Sequence, residues 1–197
     1  MSIATNETHS RDNANMTVDE GVDMATALVQ DAVSEGMSVQ IGFQTVFGYS
    51  KPGDTELEFV VDLVSRFSTL GVESVSLADS TGLAGPAQIQ QCLNVVLPAA
   101  QSTPIVLHLH DTRGMGIANI VAAMRMGVNR FDTSFGGMGG CPFIPGATGN
   151  VATEDVVYLC DTLGVRTGVD ASVVARCSRQ MSEHRGSPLP GRLYSLL

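Results

Sequence analysis

His108-Leu109-His110 is the densest piece of chemistry in the sequence. Side chains alternate faces along a strand, so within one strand both imidazoles point the same way, about 6–7 Å apart. Two imidazoles at a strand end suit a divalent metal; the structural alternative is a hydrogen-bonded pair in a polar strand end. Asp111-Thr112 follows directly and could orient one ring. The second concentration runs from Gly136 to Asn150, with six glycines in fifteen residues, two prolines and Cys141. Glycine permits close backbone approach to a ligand. A thiol there can act as acid or nucleophile if its pKa is suitably placed. Asn150 can offer a carbonyl oxygen to a metal. Glu154 and Asp155 open the following helix, where carboxylates favour the positive end of the dipole. Asp79-Ser80-Thr81-Gly82 reads either as a functional strand end or as a turn. Asp132 is a weaker candidate, and Arg113 either anchors an anionic group or pairs with a carboxylate. His9 and His184 lie in polar surroundings and read as solvated side chains.

The elements that must position these groups alternate between helix and strand. Thr17-Val18-Asp19-Glu20 has capping-box spacing, and Val22, Ala25, Val29, Ala32 and Val33 continue at helical spacing to Gly36. Ser38 to Phe43 reads as a strand. Asp54 is expected to cap a helix carrying Leu57, Val60, Val61, Val64 and Phe67. Glu73 to Ala78 is a strand, and Pro86 starts a helix. Ile105 to His110 is a strand, and the helix after it ends at Gly127. Arg130 to Ser134 is a further strand, and a helix runs from about Thr153 to Leu163. Asp170 caps a last helix, and Gly186 to Leu197 reads as a tail. This alternation means parallel strands with crossover helices, in a doubly wound sheet or a (β/α)8 barrel. No GxGxxG opens a first helix, and polar residues collect at the C-terminal ends of several strands, so the barrel is favoured.

The chain has 197 residues and a formal charge of -9, from 20 acids against 11 bases. That balance argues against a nucleic-acid partner, which needs a basic footprint. Hydrophobic residues make up 44% and charged residues 16%, so the chain as a whole is not disordered. It has neither an apolar run of about 18 residues nor a signal-peptide pattern, and so gives no sign of a membrane partner. Cys92, Cys141, Cys160 and Cys177 form no CxxC pair. Together these features lead to the expectation of a cytoplasmic protein with reduced thiols, with Cys92, Cys160 and Cys177 as small core residues.

Taken together, Ser76-Leu77-Ala78-Asp79-Ser80-Thr81-Gly82, His108-Leu109-His110-Asp111-Thr112, and Gly139-Gly140-Cys141-Pro142-Phe143 through Gly149-Asn150 to Thr153-Glu154-Asp155 resemble the 3-hydroxy-3-methylglutaryl-CoA lyases. These belong to a wider group of metal-dependent barrels that make or break carbon–carbon bonds. The likeness runs from about Ser2 to Asp170, and the Gly-Gly-Cys-Pro-Phe element is specific to the lyase branch. The resemblance implies that His108, His110 and Asn150 bind Mg2+ or Mn2+ and that Cys141 is a catalytic thiol. It also implies that Asp79 and Glu154 support the acid–base network, with His108 or a metal-linked water as base and Cys141 or a water protonating the enolate. The implied reaction is retro-Claisen cleavage of a small acyl-CoA substrate, giving acetyl-CoA and acetoacetate from 3-hydroxy-3-methylglutaryl-CoA. A homodimer stays open.

Ala78 and Arg113-Gly114-Met115 depart from the family's pattern and bear on the acyl portion of the substrate. The family's first strand carries a metal-binding aspartate and an adjacent arginine, and no such strand precedes Ser2. A complete barrel needs about 250 residues. The expected fold is therefore a partial TIM (β/α)8 barrel, roughly strands 4/5 to 8, over residues 1–170, with a C-terminal helix and tail over 171–197. Two alternatives to the lyase stand. One is a Claisen-condensing acyltransferase of the same superfamily, against which Cys141 counts; the other is an inactive truncated barrel module.

Overall fold

Thr17 begins the first long helix as its spacing predicts: its hydroxyl accepts from the Glu20 amide at 3.0 Å while the Glu20 carboxylate accepts from the Thr17 amide at 2.7 Å. A computed structural model describes residues 1–140, 146 and 148–197. In chain order the elements are β1 (Ser2–Ala4), α1 (Glu7–Ala14), α2 (Val18–Ser34), β2 (Gln40–Gln44), α3 (Leu57–Thr69), β3 (Ser74–Asp79) and α4 (Pro86–Ala100). They continue with β4 (Ile105–Leu109), α5 (Gly116–Arg125), β5 (Phe131–Asp132), α6 (Thr153–Thr162) and α7 (Ala171–Arg185). Short 3-10 turns occupy Phe135–Gly137 and Leu193–Ser195.

Among the described residues the five strands form one parallel sheet in sequence order, β1-β2-β3-β4-β5. Sheet and helices share an apolar layer. Ile41 and Phe43 of β2, Val75 and Leu77 of β3, and Leu107 and Leu109 of β4 are fully buried. They belong to one cluster with Val64 and Phe67 of α3, Leu93 of α4 and Ile120 of α5, and the Phe43 and Phe67 rings lie 5.6 Å apart. Each such side chain is worth about 2 kcal/mol in transfer from water. Alternation sends the intervening residues to the other face, where Gln40, Gly42, Gln44, Ser76, Ala78, His108 and Asp132 line a cleft.

Several expectations are corrected. Asp54 does not cap α3, whose N-cap is Glu56; its carboxylate instead accepts from the amides of Tyr49, Ser50 and Lys51, tying up the turn before the helix. Helix α1 escapes the periodicity reading because only His9 and Ser10 on it are buried, so it has no apolar stripe; Asn6 caps it through the His9 amide. The strand read as ending at His110 stops at Leu109, and His110 pairs in an antiparallel bridge with Asn150. The tail read over residues 186–197 packs against the rest of the chain. Leu189 and Tyr194 are buried with Ala175 of α7, and the Gly191 amide donates to the Gly136 carbonyl at 2.8 Å. Cys177 is exposed rather than core, whereas Cys92 and Cys160 are buried. Among the described residues, no helix is long and apolar enough to cross a membrane.

Candidate active site

The cleft measures about 620 Å³ and lies over the polar face of the sheet. At one end the His108 and His110 rings stand 5.4 Å apart at 49°. The β4–β5 register sets Asp132 opposite His108, bringing its Oδ2 to 3.6 Å from His108 Nδ1. Ser76 Oγ donates to the same oxygen at 3.0 Å. The His108 ring, above all, holds the Asp132 carboxyl below its usual range, with the Ser76 hydrogen bond adding to the effect. Burial lowers the pKa of His110 to about 4, with the His108 ring contributing, so its imidazole is neutral, as a metal ligand must be.

Asn150 reaches this end because the backbone around it is laced to β4. Asp111 N donates to Gly149 O and Val151 N to Leu109 O, both at 3.0 Å. Asn150 Nδ2 donates to Met138 O at 2.8 Å, which fixes the amide. Its Oδ1 and His110 Nδ1 are both buried without a hydrogen-bond partner. Buried polar atoms are nearly always satisfied, so two orphans on facing residues mark a place for a ligand. Two imidazoles and an amide oxygen fit a divalent cation that takes nitrogen and oxygen donors. Among the described residues no three His, Cys, Asp or Glu side chains converge as a metal cluster, so the amide is needed to complete the set.

Five of the residues singled out in the sequence lie elsewhere. Asp79 is fully buried and faces away from the cleft, accepting from the amides of Leu83 and Ala84 at 3.0 and 3.1 Å. Burial raises its pKa to about 6 against these hydrogen bonds. Glu154 is also fully buried; both of its oxygens accept from the Gly136 amide, and Ser178 Oγ donates to one of them at 2.7 Å. Both carboxylates therefore position loops. Asp111 does not orient a histidine: its Oδ1 accepts from the Gly116 amide at the start of α5, and its Oδ2 faces Arg192. Asp155 accepts from the Arg192 and Leu193 amides, and Arg113 donates to the carbonyls of Thr81 and Gly82. Cys141 lies outside the described residues. His184 belongs to the basic last turn of α7.

His9 is a correction. Only 2% exposed, it lines the cleft and pairs with Gln44. Burial lowers its pKa, the Gln44 contact and Asp12 opposing. The polar sequence around it gave no hint of burial. Its one local signal was the Asn6 cap three residues earlier. Asn13 and Gln44 also line the cleft with no signal in the sequence, whereas Ser76 reaches it through the same strand alternation as His108.

The HMGL-like family profile matches residues 1–181. The chain belongs to the HMGL-like family. This HMGL-like chain is 36% identical over 190 residues to a hydroxymethylglutaryl-CoA lyase of Bacillus subtilis, covering 96% of itself and 64% of that protein. It is 34% identical to an (R)-citramalyl-CoA lyase of Chloroflexus aurantiacus, covering 95% of itself and 59% of that protein. The structure of an HMG-CoA lyase from Acinetobacter baumannii in complex with coenzyme A and 3-methylmalate superposes with a TM-score of 0.91 at 34% identity, over 98% of this chain and 63% of that one. The HMGL-like chain thus spans less than two thirds of the length of these relatives.

Proposed function

We propose that the cleft is the metal-binding part of a carbon–carbon lyase site that cleaves 3-hydroxy-3-methylglutaryl-CoA or a close analogue to acetyl-CoA and a keto acid. One observation carries this reading: His110 Nδ1 and Asn150 Oδ1 are orphaned and buried beside His108 on the polar face. Likeness to two lyases, and to a lyase structure holding coenzyme A, supports the acyl-CoA class. A condensing acyltransferase gains no comparable support. The five strands are assigned as an arc of a (β/α)8 barrel over residues 1–170, with 171–197 as a C-terminal helix and tail having its own small core. We assign the protein to the cytoplasm.

His108, His110 and Asn150 would hold Mg2+ or Mn2+. Bound there, the cation would supply Lewis acidity to the substrate's oxygens. The proton of the 3-hydroxyl would pass to a water in the cleft, while Asp132, 3.6 Å from His108 Nδ1, orients that ring. As the C2–C3 bond breaks, its electron pair passes to the thioester as an enolate and C3 becomes a ketone. Cys141 then delivers a proton to C2. Asp79 and Glu154 keep the two loops beside the cleft in place.

The test fuses the N-terminal strands of the Bacillus subtilis relative to this chain and follows Mn2+ affinity and release of acetyl-CoA. His110→Ala and Asn150→Ala should each weaken Mn2+ binding at least about tenfold, the order found when a metal's supporting groups are removed, and turnover should fall with it. Cys141→Ala should lose turnover while keeping the metal. Cleavage at an undiminished rate in His110→Ala would sink the assignment.

A further inference from the structure

The end of the cleft remote from His110 has its own polar arrangement, which the cleavage chemistry does not use. His9 Nε2 lies 3.2 Å and Asn13 Nδ2 3.5 Å from the same atom, Gln44 Oε1. An amide oxygen only accepts, so His9 carries its proton on Nε2 and donates. The His9 ring is fixed further by Tyr49, 5.0 Å away between centroids. With its oxygen held from two sides, the Gln44 carboxamide is locked. One of its N–H groups donates to Ser2 Oγ at 3.3 Å, and the residue lines the cleft.

Sheet register relates this donor to the reacting end. Gly42 is level with Ser76 and Phe43 with Leu77, and Gln44 follows as the last residue of β2. Ala78 is paired with His108, and His108 with Asp132. Ala78, His108 and Asp132 thus form one row across the sheet, with Gln44 at the end of the neighbouring strand, and all four line the cleft. Gln44 and His108 stand two strands apart, about 10 Å between backbones. Between them the β3 segment contributes the small side chains of Ser76, Ala78 and Ser80 to the cleft lining. Among the described lining residues no Arg or Lys side chain occurs.

We propose that Gln44, locked by His9, determines which acyl group the cleft accepts, donating a hydrogen bond to an oxygen at the far end of a short 3-hydroxyacyl thioester whose hydroxyl lies over His108. The inference rests on the proposed lyase reading and extends it to substrate class. The distal oxygen is recognised by the Gln44 hydrogen bond. Gln44 touches the substrate; His9 is a positioning residue that fixes which end of the carboxamide faces the cleft.

Titration calorimetry on the full chain with Mn2+ tests this using 3-hydroxyglutaryl-CoA, its 5-carboxamide, and 3-hydroxybutyryl-CoA, which lacks the distal oxygens. The unaltered protein should bind the first two about tenfold more tightly than the third, the worth of one net hydrogen bond. Gln44→Ala should erase that preference while leaving the affinity for 3-hydroxybutyryl-CoA and for Mn2+ within twofold. His9→Phe, which keeps a ring against Tyr49 but loses the donor, should reduce the preference; His9→Gln should restore it. If the unaltered protein binds all three thioesters equally, the acyl-CoA site stands and the role of Gln44 falls. Equal weakening of all three in Gln44→Ala also overturns that role. A carboxamide bound more than tenfold more weakly than the carboxylate assigns an ion pair and overturns it too. If none of the three binds, the lyase reading itself fails, and this inference with it.

Discussion

Asp79 and His110 are both buried, and burial pulls their pKa values in directions that oppose each other in their effect on stability. Asp79 is raised to about 6 from 3.8, chiefly by desolvation. Between those values the folded chain binds more protons than the unfolded one. Its contribution is thus fully present below pH 4 and lost as pH rises through 6. His110 is lowered to about 4 from 6.5, so its contribution is present above pH 6.5 and lost as pH falls through 4. Asp79→Asn removes only the first effect. In metal-free protein the variant should gain on the unaltered chain by about 2–3 kcal/mol between pH 4 and pH 7, because each tenfold change in proton affinity is worth about 1.4 kcal/mol. Parallel melting-temperature profiles for the two proteins would refute the assignment.

At the scale of elements, the glycines after β5 form a scaffold for Asn150. Gly149 sits at φ 121°, where a side chain would run into the carbonyl oxygens of Gly137 and Gly139. Gly36 at φ 74° has open space around it. Gly149→Ala should therefore cost about 3 kcal/mol or more and weaken Mn2+ binding, whereas Gly36→Ala should cost about 1–2 kcal/mol and leave Mn2+ binding alone. Thermal melts and metal titrations of the pair decide the matter. The sequence made this scaffold visible only in part. His108 and His110 were legible because alternation in a strand is a local rule, and α2 was legible from Thr17 and Glu20 alone. The pairing of His110 with Asn150 joins residues forty positions apart, and no local rule announces it. The same holds for Asp54, which has the residue type of a helix cap but spends both oxygens on the turn before it. His9 looked solvated because burial by a distant strand leaves no trace in its neighbours.

For the whole molecule, the proposed metal site links binding to folding. A cation bound as proposed by His108, His110 and Asn150 would bind only the folded chain, so Mn2+ at a hundred times its Kd should add about 2.7 kcal/mol of stability. For a chain of this size that raises Tm by about 5–10 °C. The increment should vanish in His110→Ala; an equal rise in both proteins would place the cation elsewhere. Alternation along β2, β3 and β4 has a consequence for how this sheet can change. Leu77, Leu107 and Leu109 face the helices, while Ser76, Ala78 and His108 face the cleft. Successive residues of one strand therefore answer to different demands, one to folding and the next to chemistry. A new substrate preference can be written into every second position while the letters between them, which keep the chain folded, stay as they are.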